Sequence, residues 1–218
     1  MNLGQLRTSL QTKGWETDTA TIQTEALNAA YRRVVAYKRW PFMEAEGTVT
    51  ATVGQGNVSL AALTTLLSID SIRLASGTQY PEVSYRDPET VKAALHADRD
   101  NGTPVWWTYY DDQLWLYPRP DLAYTVTVQY ILDPPDLSAD GDTPIIPAAY
   151  HDLLVWGAIS DIAFRERDYT GQAVADQKYA RLLREMEGSY HLRQRQTRSQ
   201  ILRSPFWDTV EQGGYSRG

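Results

Sequence analysis

The 218-residue sequence has no cysteine, only three phenylalanines and no apolar run long enough to cross a bilayer. Without cysteine, disulfide scaffolds, thiolate zinc sites and cysteine nucleophiles are all excluded. A spanning helix needs about 20 consecutive apolar residues, and the opening stretch MNLGQLRTSLQTKG lacks the apolar segment of a signal peptide. Basic excess is missing too. The 21 Lys and Arg face 27 Asp and Glu, a formal charge of −6, which argues against a general nucleic-acid coat. The expectation is a soluble, unexported, mildly acidic protein, long enough for one large domain or two small ones.

Catalytic signatures are equally sparse. His96, His151 and His191 are dispersed, and no two fall at helical metal-ligand spacing. No GxSxG, GxxxxGK[ST] or GxGxxG occurs. His151-Asp152 opens an expected helix, with Asp152 complementing the dipole and His151 reading as a surface or interface residue. Asp111-Asp112, near Trp106, Trp107 and Trp115, has the composition of a sugar site. Adjacent residues at a tight turn diverge, however, and Asp favours turns, so a turn is expected there. Asp136, Asp140 and Asp142 lack the spacing and closing Glu of an EF-hand, and helix capping with loop solvation accounts for them. No catalytic residue, metal or cofactor is therefore expected.

Seven Trp and fourteen Tyr are present instead, a bias suited to half-buried surfaces and interfaces. Leu3, Leu6 and Leu10 mark a short helix that Gly14 can end. Asp18 or Thr19 can cap a second helix through Lys38, with Ile22, Ala26, Ala30 and Val34 on its apolar face. Arg32, Arg33, Lys38 and Arg39 read as a solvated, dipole-matched end. From Glu44 the period becomes two, and after the turn Gly54-Gln55-Gly56-Asn57 the segment Val58-Ser59-Leu60 can pair back. Ser68 to Leu74 reads as a strand, and Pro88 to His96 as a helix capped by Asp87.

The densest aromatic stretch, Val105 to Tyr130, reads as a β-meander of three strands turning at Asp111-Asp112 and at Pro118-Arg119-Pro120-Asp121. Its first two strands are apolar on both faces, so each side should be covered. Trp106, Trp107, Tyr109, Trp115 and Tyr117 are the candidate inter-subunit or partner-interface residues. Residues 81–142 hold twelve acids and four bases, which disfavours stacking on a nucleic-acid strand. Helical spacing resumes from Ala149 to Ala163 and again from about Gln172 to Tyr190. Residues 191–218 have no apolar period and carry five Arg against two acids. Arg193, Arg195, Arg198 and Arg203 with Ile201, Leu202, Phe206 and Trp207 form a candidate docking arm that orders on a partner.

The expected fold is α+β. Residues 1–42 and 147–190 form a helical bundle, residues 43–146 an inserted antiparallel β lobe, and residues 191–218 an extended C-terminal arm. The motif order is Arg39-Trp40-Pro41-Phe42, GTVTATVGQGNVSL, SIDSIRL, a DPETV helix, GTPVWWTYYDDQLWLYPRPD and YILDPPDLSADGDTPIIPAAYHDLLVWGAISDIA. Over residues 1–190 this order resembles the head-to-tail adaptor (connector) proteins of tailed bacteriophages. The resemblance implies a non-enzymatic virion protein at the head–tail junction, assembled in the host cytoplasm and independent of membranes. It implies a ring of twelve subunits docked by the C-terminal arm beneath the phage portal protein, facing a downstream tail or nozzle protein. Double-stranded DNA would pass through the lumen without sequence-specific binding, past an acidic lobe that does not grip phosphate. The other reading is a carbohydrate-binding or tail-associated recognition module using Trp106, Trp107 and Trp115.

Overall fold

The computed structural model describes residues 1–15, 19–75, 83–97 and 100–201, the last eleven as helical backbone. The elements begin with α1 (Leu3–Thr12), α2 (Ala20–Tyr37), β1 (Glu44–Ala51), β2 (Asn57–Ser59), β3 (Leu66–Ala75) and β4 (Ser84–Tyr85). Next come α3 (Pro88–Ala97), β5 (Asn101–Gly102), β6 (Trp106–Tyr110), β7 (Gln113–Tyr117), β8 (Arg119–Pro120) and β9 (Tyr124–Leu132). The chain then continues with α4 (His151–Glu166) and α5 (Tyr169–Ile201). This is an α+β chain in which terminal helices flank a β region. It divides into a helical unit, Met1–Arg39 with the chain from Leu137 onward, and a β unit, Trp40–Asp136.

In the helical unit, Asn2 and Gln5 form a reciprocal capping box at 2.9 and 3.0 Å. Two further amides at the start of α1 are satisfied by the loop before α4, Leu3 N–H on Asp142 O and Gly4 N–H on Asp140 O. Leu3, Leu6 and Leu10 are fully buried, as their spacing requires. Thr19 caps α2 through the amide of Ile22. Helix α4 is buried around most of its circumference, with α1, α2 and α5 packed about it. Gly157 permits that crowding: a Cβ there would lie 2.8 Å from Ala30 Cβ and 3.2 Å from the Tyr179 ring.

Helix α4 ends at left-handed Arg167, and Asp168 caps α5 by accepting from Gly171 N–H at 2.9 Å. The second helix therefore starts at Tyr169, slightly ahead of the expected Gln172. It also continues to Ile201, past the expected end at Tyr190. Extending a formed helix needs no new nucleus, and Leu, Arg and Gln are good helix formers even without an apolar period.

In the β unit, β9 is the central strand of a sheet ordered β1-β9-β3, antiparallel to both neighbours. A second sheet runs β2-β7-β6-β4, and β5 pairs with β8. Val49, Ile72, Leu74, Leu116, Val126 and Val128 belong to the shared core. Two expectations are corrected here. The segment after the Gly54–Asn57 turn does not pair back on β1; β2 pairs with β7, Val58 opposite Leu114. That turn is held by Gly54 N–H on Pro120 O and by Leu116 N–H on Gly56 O, both at 2.8 Å, so the chain leaves it along β7. Nor is Val105–Tyr130 a three-stranded meander. Strands β6 and β7 form a hairpin, but both edges of β9 are taken by β1 and β3, and β7 gives its free edge to β2.

Candidate interaction surfaces

The β6–β7 hairpin carries the aromatic residues singled out in the sequence, and its register divides them. Trp107 opposite Leu116 and Tyr109 opposite Leu114 share one face, which joins the core; Trp107 is only 4% exposed. Trp106 opposite Tyr117, and Thr108 opposite Trp115, share the other face. The rings of Trp106 and Tyr117 stack at 5.2 Å. Both sides are covered, as two-sided apolarity requires: helix α3 lies on the second face with Val91 and Leu95 buried. The three tryptophans do not form one platform.

Cations bind α3 and its approach to this face. The Lys92 ammonium sits 3.0 Å from the Tyr110 ring centroid and 5.5 Å from that of Trp115, and the Arg86 guanidinium lies 5.6 Å from Trp106. Asp87 caps α3 by accepting from Thr90 N–H and Oγ1–H, and the hydroxyl's hydrogen bond, then the amide's, holds its carboxyl below the usual range. Asp111 and Asp112 form the two-residue turn of the hairpin, both with left-handed φ, the geometry of a primed turn. Tyr109 O–H donates to Asp112 at 2.6 Å, and that bond raises the phenol pKa. Among the described residues no cluster of three or more His, Asp or Glu is placed to hold a metal.

The helical unit buries Ala175 and Met186 of α5 and fastens the helix through polar contacts as well. Arg33 of α2 donates to Gly157 O at 2.9 Å and Asp161 Oδ2 at 2.8 Å, and lies 5.7 Å from the Tyr179 ring. It thus links three helices while its side chain stays 45% exposed. Burial raises the Asp161 carboxyl pKa, and Arg33 opposes that shift. Ser160 donates to Asp176 at 2.6 Å, Lys38 to Glu187 at 2.9 Å, and Tyr150 to Ser189 at 2.9 Å. Pairing of residue 160 with 176 and of 150 with 189 makes α4 and α5 antiparallel. Residues 191–201 therefore run past the first turn of α4, a projection of about 16 Å at 1.5 Å per residue.

Arg193, Arg195, Arg198 and Ile201 lie on this projecting helix by backbone position. Leu202, Arg203, Phe206 and Trp207 lie outside the described residues. His151, expected at a surface or interface, is instead 2% exposed. Its Nε2–H donates to Ile146 O at 2.7 Å, so its Nδ1 accepts from the Met1 amine at 2.6 Å. Burial pushes this imidazole below its ordinary pKa. Among the described residues, no helix is long and apolar enough to cross a membrane.

Comparison with curated proteins yields no match. A family model described as SU10 adaptor protein, in contrast, matches residues 1–205. The match takes in the helix–sheet–helix order and the whole of α1 through α5, and the chain belongs to the SU10 adaptor protein family.

Proposed function

We propose that this protein is a non-enzymatic structural adaptor at the head–tail junction of a tailed phage. Twelve copies close into a ring beneath the portal protein, extend the DNA channel and present a docking face to a downstream tail or nozzle protein. Assembly in the host cytoplasm requires no membrane. The family match across residues 1–205 is the observation that carries this reading. The number twelve comes from the connector resemblance.

Two structural features support a division of labour. Helix α5 projects past α4, and residues 191–218 add five Arg and two acids, the composition of an arm that clamps carboxylates and anchors through Phe206 and Trp207. Trp106, Trp115 and Tyr117 are half-buried on the face that α3 covers, and their exposed edges would meet another subunit or the tail, whereas Trp107 and Tyr109 pack on the core face. The β unit carries thirteen acids and five bases, so a lumen lined by it would let DNA slide without gripping phosphate. Deleting residues 191–218 tests the docking role. The shortened chain should keep the thermal melt of the helical unit and lose portal binding in co-sedimentation; undiminished binding would overturn the assignment.

A further inference from the structure

A groove of about 520 Å³ lies within the β unit, walled by Trp115, Lys92, His96, Arg119 and the turn Gly54–Asn57. Its composition runs against its surroundings. The unit has thirteen acids against five Lys and Arg, yet two of those five converge here with the unit's one histidine, and among the described residues no carboxylate lines the groove. Among the described residues, neither Lys92 nor Arg119 has a carboxylate partner. Lys92 rests on the Tyr110 and Trp115 rings, and Arg119 gives one donor to Leu95 O at 3.4 Å. A guanidinium has five donors, so most of its capacity stays open. Concave walls of one sign concentrate the opposite charge.

The neutral groups point away from a sugar. Asn57 Nδ2 already donates to Gln113 at 2.7 Å, and the Trp115 indole N–H to Tyr110 O at 3.3 Å. Two of the neutral donors that would read hydroxyls are thus engaged, whereas among the described residues the cations lack counter-charges. A nucleic-acid strand would bring a phosphate every few ångströms past the unit's surplus acids. A short peptide brings only one or two carboxylates, and an apolar side chain beside them can lie on the indole.

We propose that this groove binds an acidic peptide segment of a partner protein, with carboxylates on Arg119 and Lys92 and an apolar side chain against Trp115. The proposal stands independently of the portal assignment. Fluorescence anisotropy of a labelled peptide of alternating Glu and Leu, added to the whole chain at low salt, tests it. Two controls accompany it, the Gln-for-Glu peptide and a thymidine hexanucleotide. The Glu peptide should bind about tenfold tighter than either control, as one charge-assisted contact would give. Gln55→Glu puts a carboxylate in the exposed wall and leaves the Lys92 and Arg119 contacts intact; it should weaken binding about tenfold. The Arg-rich residues 191–218 would bind the same peptide regardless of residue 55, so this variant separates the two sites. Arg119→Gln, its fold checked by thermal melting, should act in the same direction. Equal binding of the Gln peptide, tighter binding of the oligonucleotide, or indifference to Gln55→Glu would each overturn the proposal.

Discussion

Asn28 holds both backbone polar groups of Leu137, its Nδ2 donating to the carbonyl at 2.9 Å and its Oδ1 accepting from the amide at 2.9 Å. The two residues are 109 positions apart, and both are buried. A single amide side chain therefore pins the point where the chain re-enters the helical unit. Tyr31 supports the same connection by accepting from Ile145 N–H at 3.0 Å.

Replacing Asn28 by Leu keeps the shape and strands a buried N–H and C=O. Each stranded group costs about 1–3 kcal/mol, so Asn28→Leu should lower unfolding stability by about 2–6 kcal/mol. Urea denaturation measures this directly. A loss below about 0.5 kcal/mol, the range of ordinary surface substitutions, would show that water replaces the pair without penalty.

The buried His151 should make stability depend on pH in a definite direction. Its folded pKa lies below its ordinary value, chiefly through burial, so the fold holds the neutral ring. Above about pH 6.5 folded and unfolded chains are both neutral and the contribution is complete. As pH falls below that value the unfolded chain takes up the proton first, and stability declines until the folded pKa is passed. The urea midpoint should fall more between pH 8 and pH 5 in the parent than in His151→Gln, which keeps a donor for Ile146 O. Parallel profiles would contradict the assignment.

Thr108 should be improvable. It is fully buried under α3, and among the described residues its Oγ1 has no hydrogen-bond partner. Thr108→Val removes the stranded hydroxyl at nearly constant shape and should raise unfolding stability by about 1 kcal/mol. A destabilised variant would mean that the hydroxyl finds a partner.

How legible each feature was depended on how local its cause is. Leu3, Leu6 and Leu10, the Asp87 cap of α3 and the Asp111-Asp112 turn follow from neighbours within one turn of chain, and each stands where the pattern placed it. The partner of β2 and the sheet of β9 depend on which strand edges remain free, and no short window contains that information. His151 misled for the same reason: a titratable side chain reads as exposed until its distant partner Met1 is known. The anion-ready groove was hidden because its walls come from residues 54–57, α3, β7 and β8, and only folding separates Lys92 and Arg119 from the acids around them.

Electron microscopy of the protein mixed with its portal tests the central claim most directly. Ring-shaped particles with a second tier stacked coaxially on the portal, twelvefold in projection and absent when residues 191–218 are deleted, are the predicted result. Portal rings that remain single-tiered at saturating protein would contradict the adaptor assignment.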